Sequence, residues 1–246
     1  MLIQESQIVD ATPCSLYEKI EDPLGICALK TLKVAISASF NSNPFKLADL
    51  RDLYVKYWDE IWLASNPSIP DTGPYWEGPT TARIVAHKIY TLLLHYEVLQ
   101  PIENYELVVQ SYTIKGQYAL LKERGKVGKV NILVPHTLPY IKTIPPEPTA
   151  LLRFWHATIT HTYHNVRVMH LPLLRGRPSW HDFKDLKQVW NQVIGLVLSY
   201  VGDHKFPVAG YQCDSCKTKK CMEAFNAGSY DNPWQRQLAQ IRDRRK

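Results

Sequence analysis

Apolar positions recur at three- and four-residue steps in three stretches of this chain, which predicts three amphipathic helices. The first, from Leu47 to Ala64, carries Leu47, Leu50, Tyr54, Tyr57 and Ile61 on one face. The second, from Thr80 to Gln100, aligns Ala82, Val85, Ala86, Ile89, Leu92, Leu93 and Tyr96, with His87 just off that face, His95 flanking it and Pro101 as its stop. The third, from Asp185 to Tyr200, aligns Leu186, Val189, Trp190, Val193, Val197 and Tyr200. Between the second and third the pattern changes to alternation, which predicts strands. Tyr105 to Tyr112 is one, and Thr113 to Leu121 continues or pairs with it. Glu123 to Lys129 reads as a basic hairpin turn, and Val130 to Val134 as the returning strand. Leu152 to His161 and Asn165 to Leu173 read as a further antiparallel pair around Thr162-Tyr163-His164. Breakers mark loops at Asn66 to Pro74 and Pro135 to Pro148. The expectation is one domain over 1–246, of α/β (α+β) class.

Composition changes this picture little. With 45% hydrophobic and 21% charged residues among 246, the chain is a folded protein with ample core. No run of 18 apolar residues is present, so no membrane partner is expected. The first ten residues lack a basic start followed by an apolar run, so export is not expected either. The formal net charge of +6 permits phosphate contacts and hence nucleic acid. Basic residues gather at 122–129, at 217–220 and in a tail over 232–246 that also reads as a solvated end. Gly125 to Lys129 lacks the spacing of a phosphate-binding P-loop.

The cysteines change it more. Three of five lie in Cys213-Asp214-Ser215-Cys216-Lys217-Thr218-Lys219-Lys220-Cys221, spaced C-x2-C-x4-C. A C-x-x-C turn lets two thiolates converge on one metal, and a third five residues later reaches the same centre. Lys217, Lys219 and Lys220 favour the thiolate form. A tetrahedral centre needs a fourth ligand. Cys27 stands among apolar neighbours and suits a buried thiol, whereas Cys14, beside Pro13 and Ser15, suits a ligand better. Zinc and an iron–sulfur cluster both accept four thiolates. Residues 1–30 and 207–225 would form the metal-binding subregion. Closing that loop of about 200 residues would stabilise by roughly 5 kcal/mol on the chain-entropy model. Unpaired cysteines place the protein in a reducing compartment, the cytoplasm or, for a viral source, the virion.

Taken together, these residues resemble the iron–sulfur branch of the RecB-like PD-(D/E)XK nucleases, which includes CRISPR-associated exonucleases and the nuclease part of the AddAB helicase-nuclease. The likeness rests on the leading segment from Ser6-Gln7-Ile8 to Pro13-Cys14, on His87, on Gln192 with Tyr200, and on the closing triplet Cys213, Cys216 and Cys221. It implies a central mixed sheet flanked by helices, with both termini stapled by a 4Fe-4S cluster on Cys14, Cys213, Cys216 and Cys221. The family places an aspartate shortly after a glycine on one strand and a D/E-x-K on the next, to hold Mg2+ or Mn2+. Here Gly116 is followed by Gln117, Tyr118 and Ala119, and the strand from Val130 to His136 has neither carboxylate nor lysine. Asn131 and His136 can ligate a metal, but without a carboxylate pair they offset little of a divalent charge.

Three functions are therefore expected in turn. The first is a catalytically degenerate nuclease fold that binds DNA or a protein partner inside a larger assembly. The second is an active metal-dependent DNA exonuclease with displaced acids, using His87, Glu106, Glu123 and Asp182. The third is a zinc-stapled nucleic-acid-binding protein. Three of those four residues have a plainer reading: His87 packed or at the surface, Glu123 in surface salt pairing with its basic hairpin neighbours, and Asp182 as an acid at a helix start.

Overall fold

The structure is a computed structural model that describes residues 2–5, 8, 23–65, 73–126, 129–137, 148–161 and 165–201. The first helix described over its whole length, α1 (Pro23–Phe40), is one the sequence pattern hides. Pro23 opens it, where a missing N–H is harmless, and small residues dominate its buried side: Gly25, Cys27, Ala28, Thr31, Ala35 and, with them, Leu32 and Ile36. By length and composition α1 is the one described helix apolar enough to cross a membrane, yet this buried side packs into the core. Helix α2 (Leu47–Ser65) lies against it, and the Tyr54 hydroxyl donates to the Leu24 carbonyl at 3.1 Å. A 3-10 turn (Gly73–Trp76) leads into α3 (Glu77–His95). The Trp58 indole donates to Tyr75 O at 3.0 Å, and its ring sits where a side chain on Gly78 would be. All seven predicted apolar positions are buried, six on α3 and Tyr96 just beyond its end.

α3 ends five residues earlier than expected. At Tyr96 the chain passes directly into β2 (Tyr96–Val109), which among the described residues is an edge strand paired only with β3 (Tyr112–Glu123). Pro101 is thus inside a strand and stops no helix. It falls where the β2–β3 register shifts between Gln100 and Glu103, an irregular stretch of an edge strand that tolerates a missing donor. Gln110, at φ 54, makes the turn between these strands. The basic hairpin then delivers β4 (Val130–His136) antiparallel to β3, with Ala119 opposite Leu133, as expected. Gly125 takes φ +76 in that turn, a conformation that favours glycine.

The pair predicted over 152–173 is corrected. Its first half is helix α4 (Pro148–Thr160), because Ala150, Leu151, Phe154 and Ala157 are buried at helical steps. Its second half is β5 (Val166–Pro172), which runs parallel to β4 as the return of a β-α-β crossover. β6 (Ser179–His181) closes that side, and α5 (Leu186–Val201) follows. The Asp185 carboxylate accepts from Gln188 N at 3.0 Å and caps α5. Near the N-terminus, β1 (Leu2–Gln4) pairs parallel with residues 113–115 of β3. β2 covers the whole of one β3 edge, so β1 and β4 share the other.

The result is a mixed six-stranded sheet with helices on both faces. On one face α1, α2 and α3 pack over Val98, Ala119, Leu121, Leu133, Met169 and Leu171. On the other, α4 and α5 pack over Leu107, Ile114, Tyr118, Leu120, Ile132, Val134 and Val168. The expected α/β class and helix-flanked mixed sheet are present.

Candidate functional site

Cross-strand register sets the site. Trp180 on β6, Met169 on β5, Leu133 on β4 and Ala119 on β3 form one row on the α3 face. Arg167, Asn131 and Leu121 form the next. The middle of this face is apolar. Ala119 and Leu133 are both 1% exposed and join the same core cluster as Ile89, Leu121 and Met169.

Polarity returns at the end of the strands. A cleft of about 420 Å³ opens between the last two turns of α3, the Tyr96 and Glu123 ends of β2 and β3, and β6. α3 contributes His87, Lys88, Thr91 and His95; Met169 and Leu171 give an apolar side, and Glu123, Arg124 and Trp180 complete the rim. Behind the rim is a hydrogen-bonded chain. Asn131 Nδ2 donates to Leu121 O at 3.2 Å, and Arg167 Nε donates to Asn131 Oδ1 at 2.7 Å. The Arg167 guanidinium lies 3.6 Å from Glu123 and 5.3 Å from the Trp180 ring centroid. Lys126 pairs with Glu123 at 2.7 Å. That hydrogen bond, with Arg167 and Lys129 behind it, holds the Glu123 carboxyl below its ordinary range although partial desolvation opposes it. Burial, and then the Glu123 charge, push the Tyr96 phenol up, while the Trp180 indole N–H bonds to its hydroxyl. Burial lowers Lys88, whose Nζ donates to the Pro172 carbonyl at 2.7 Å.

Of the four candidate acid and histidine positions, the structure brings two together: His87 and Glu123 line this cleft. Glu106 lies toward the other end of the β2–β3 ribbon, about 30 Å away at ~3.3 Å per residue. There it pairs with Lys115 at 2.5 Å, largely exposed. Asp182 is exposed between β6 and α5 and is no helix cap, since Asp185 holds that place. Asn131 is fully buried, with both ends of its amide engaged. Cys14, Cys213, Cys216 and Cys221 lie outside the described residues, and so does the side chain of Tyr200. Cys27 is fully buried in the α3-side core, as its neighbours predict. Among the described residues, no group of three or more His, Cys, Asp or Glu is placed to hold a metal ion.

Arg167 and Trp180 belong to no motif in the sequence. Arg167 did leave a signal, as a charged residue between two valines of a buried strand.

The opposite face carries its own polar groups. Arg153 makes a two-pronged pair with Glu5, at 2.8 and 2.9 Å. Glu5 and the Tyr105 ring fill the space where a side chain on Gly116 would stand. Tyr118 Oη lies 2.8 Å from His156 Nδ1 and 3.3 Å from His161 Nε2. His136 stacks on His170, with Nε2 2.9 Å from Nδ1. Burial, and then Arg153, hold His136 down to about 4.

No family model matches the chain, and no curated protein matches it. Among solved structures, the crystal structure of SSO0001 is similar over 87% of this chain and 82% of that chain, at 13% identity and a TM-score of 0.36. A likeness that weak carries no argument.

Proposed function

We propose that this chain is a nuclease-like scaffold that has lost metal-dependent chemistry and acts as a DNA-binding component of a larger assembly. The observation that carries this reading is the pair Ala119 and Leu133, opposite each other on neighbouring strands and buried in an apolar cluster. The nuclease pattern needs an aspartate after the strand glycine and a carboxylate on the next strand. Gly116 is here a strand glycine whose crowded space, filled by Glu5 and Tyr105, lies on the other face of the sheet, and Ala119 and Leu133 fill their own face with hydrocarbon. A hard divalent cation takes oxygen ligands, and Ala119 and Leu133 supply no side-chain oxygen where the pattern needs carboxylates. The cationic rim of the cleft, with Lys88 and Arg124, supports binding of a polyanion.

The four thiolates Cys14, Cys213, Cys216 and Cys221 are read as holding a 4Fe-4S cluster, with zinc as the other occupant their chemistry admits. The group would join the two ends of the chain. The Glu5–Arg153 pair and the pairing of β1 with β3 already tie the segment before Cys14 to the sheet. A brown, iron-containing protein is expected; a colourless one holding zinc would replace the cluster by a zinc staple.

One observation favours the active-nuclease reading: His87 and Glu123 share the cleft. Among the described residues Glu123 is its one carboxylate, however, and it is already paired with Lys126 and Arg167. The deciding experiment incubates anaerobically prepared, iron-replete protein with single- and double-stranded DNA and Mg2+ or Mn2+, with gel-shift lanes alongside. Retarded but uncut DNA is expected. Metal-dependent cutting absent from a mock preparation would overturn the scaffold reading. No cutting and no shift would point instead to a protein partner.

A further inference from the structure

We propose that the cleft at the α3–β2–β3 corner binds a nucleoside monophosphate: a planar aromatic ring carrying a compact anion. The inference goes beyond the scaffold reading and requires neither a metal nor a long strand. The cleft, at about 420 Å³, falls within the ~300–1,000 Å³ usual for small-molecule sites. Its aromatic wall is fixed in advance. Trp180 is 39% exposed, its indole N–H is bonded to Tyr96, and the Arg167 guanidinium lies against its ring. An indole whose polar atom is already satisfied offers a face for stacking, and every base has a π-face to match it. Buried Met169 and Leu171 back it, and exposed Leu94 adds apolar surface at the rim.

The charge balance selects an anion. Glu123 is neutralised by Lys126 and Arg167. Among the described residues no carboxylate pairs with Lys88 or Arg124, which remain as the uncompensated charges of the lining. The negative end of α3 also faces this corner and opposes an anion. It is partly quenched, because Arg124 N donates to His95 O at 2.9 Å and Tyr96 N donates to Leu92 O. An uncharged sugar would leave the two cations unanswered, and a free phosphate would leave the indole wall unused.

The same chemistry is presented by a free mononucleotide and by the terminal nucleotide of a strand. The test is calorimetric titration of the full chain with AMP and CMP, with adenosine and inorganic phosphate as separate halves, and with a 5′-phosphorylated oligonucleotide in a parallel arm. Saturable one-to-one binding of a mononucleotide is expected, with each half weaker by about tenfold or more. Trp180→Ala and the exposed-site change Arg124→Glu should each weaken it by about tenfold with little change in Tm, while Glu106→Gln should not. If the oligonucleotide binds and AMP competes with it, the natural ligand is a strand end; if it does not bind, the DNA reading falls while the cleft site stands. Absence of saturable mononucleotide binding, or binding indifferent to both cleft variants, overturns the proposal and leaves the scaffold reading to the gel-shift result.

Discussion

The two faces of this sheet solve the problem of burial differently. Over α1, α2 and α3 the middle of the sheet is hydrocarbon, and polar groups are displaced to the rim at Glu123, Arg167 and Trp180. Under α4 and α5 the core admits an ion pair, a histidine pair and a tyrosine bonded to two histidines. Ala119 and Leu133 stand in the hydrocarbon centre of the first face, with Asn131 as its buried polar side chain among the strands. The polar groups of the other face bond to one another and to the N-terminal segment. Buried polarity therefore marks chemistry only where it opens on a cleft, and elsewhere it holds elements in place.

The sharpest way to break this contrast is to put a carboxylate among the hydrocarbon of the first face. Leu133→Glu buries an uncompensated charge and opens no metal site unless Ala119 is also changed. It should lower unfolding free energy in urea by about 4 kcal/mol or more and yield no metal-dependent cleavage. Soluble protein of ordinary stability would mean that the face is wetter than its packing. On the polar face, Arg153→Ala leaves Glu5 buried without its partner. About 3–5 kcal/mol should be lost, and the N-terminal segment should become the first site of proteolysis; an intact N-terminus would show that β1 holds without the pair.

The histidine pair gives the next effect, and its sign follows from burial. His136 has its folded value held at about 4, below its ordinary 6.5. Above pH 6.5 neither folded nor unfolded state is protonated there, and the shift contributes nothing. As pH falls from 6.5 toward 4, the unfolded chain takes up a proton that the folded chain refuses. Stability should therefore fall across that window, by up to about 3 kcal/mol. His136→Gln should remove most of that acid sensitivity in a series of urea melts, and an unchanged slope would assign the sensitivity elsewhere. The smallest effect belongs to the exposed pair on the ribbon. Glu106→Gln should change stability by less than about 0.5 kcal/mol and leave DNA retardation unchanged; a large loss in either would restore Glu106 to a functional role.

The helical faces of α2, α3 and α5 were readable because medium and large apolar residues stand at regular steps. α1 was not, since its buried stripe is built of Gly25, Cys27, Ala28, Thr31 and Ala35, and Pro23 with Gly25 reads locally as a turn. The α3–β2 junction was misplaced because Tyr96, Leu99 and Gln100 prolong the helical pattern into residues that instead pair with β3. Over 152–160 a short alternation masks the longer helical period. Half of the cleft was visible, in His87 and Glu123. Trp180 reaches them only through its register opposite Met169, and Arg167 only through Asn131, and such cross-strand relations are invisible along the chain.

The pairing of residues 2–4 with residues 113–115 has a consequence for the order of assembly. On the ribosome β1 emerges long before its partner exists. At about 5–20 residues per second, it waits on the order of ten seconds for β3. Until then it has neither its ladder nor, in Arg153, its ionic anchor. The segment around β1 thus docks only after β3 and the helix bearing Arg153 have been made.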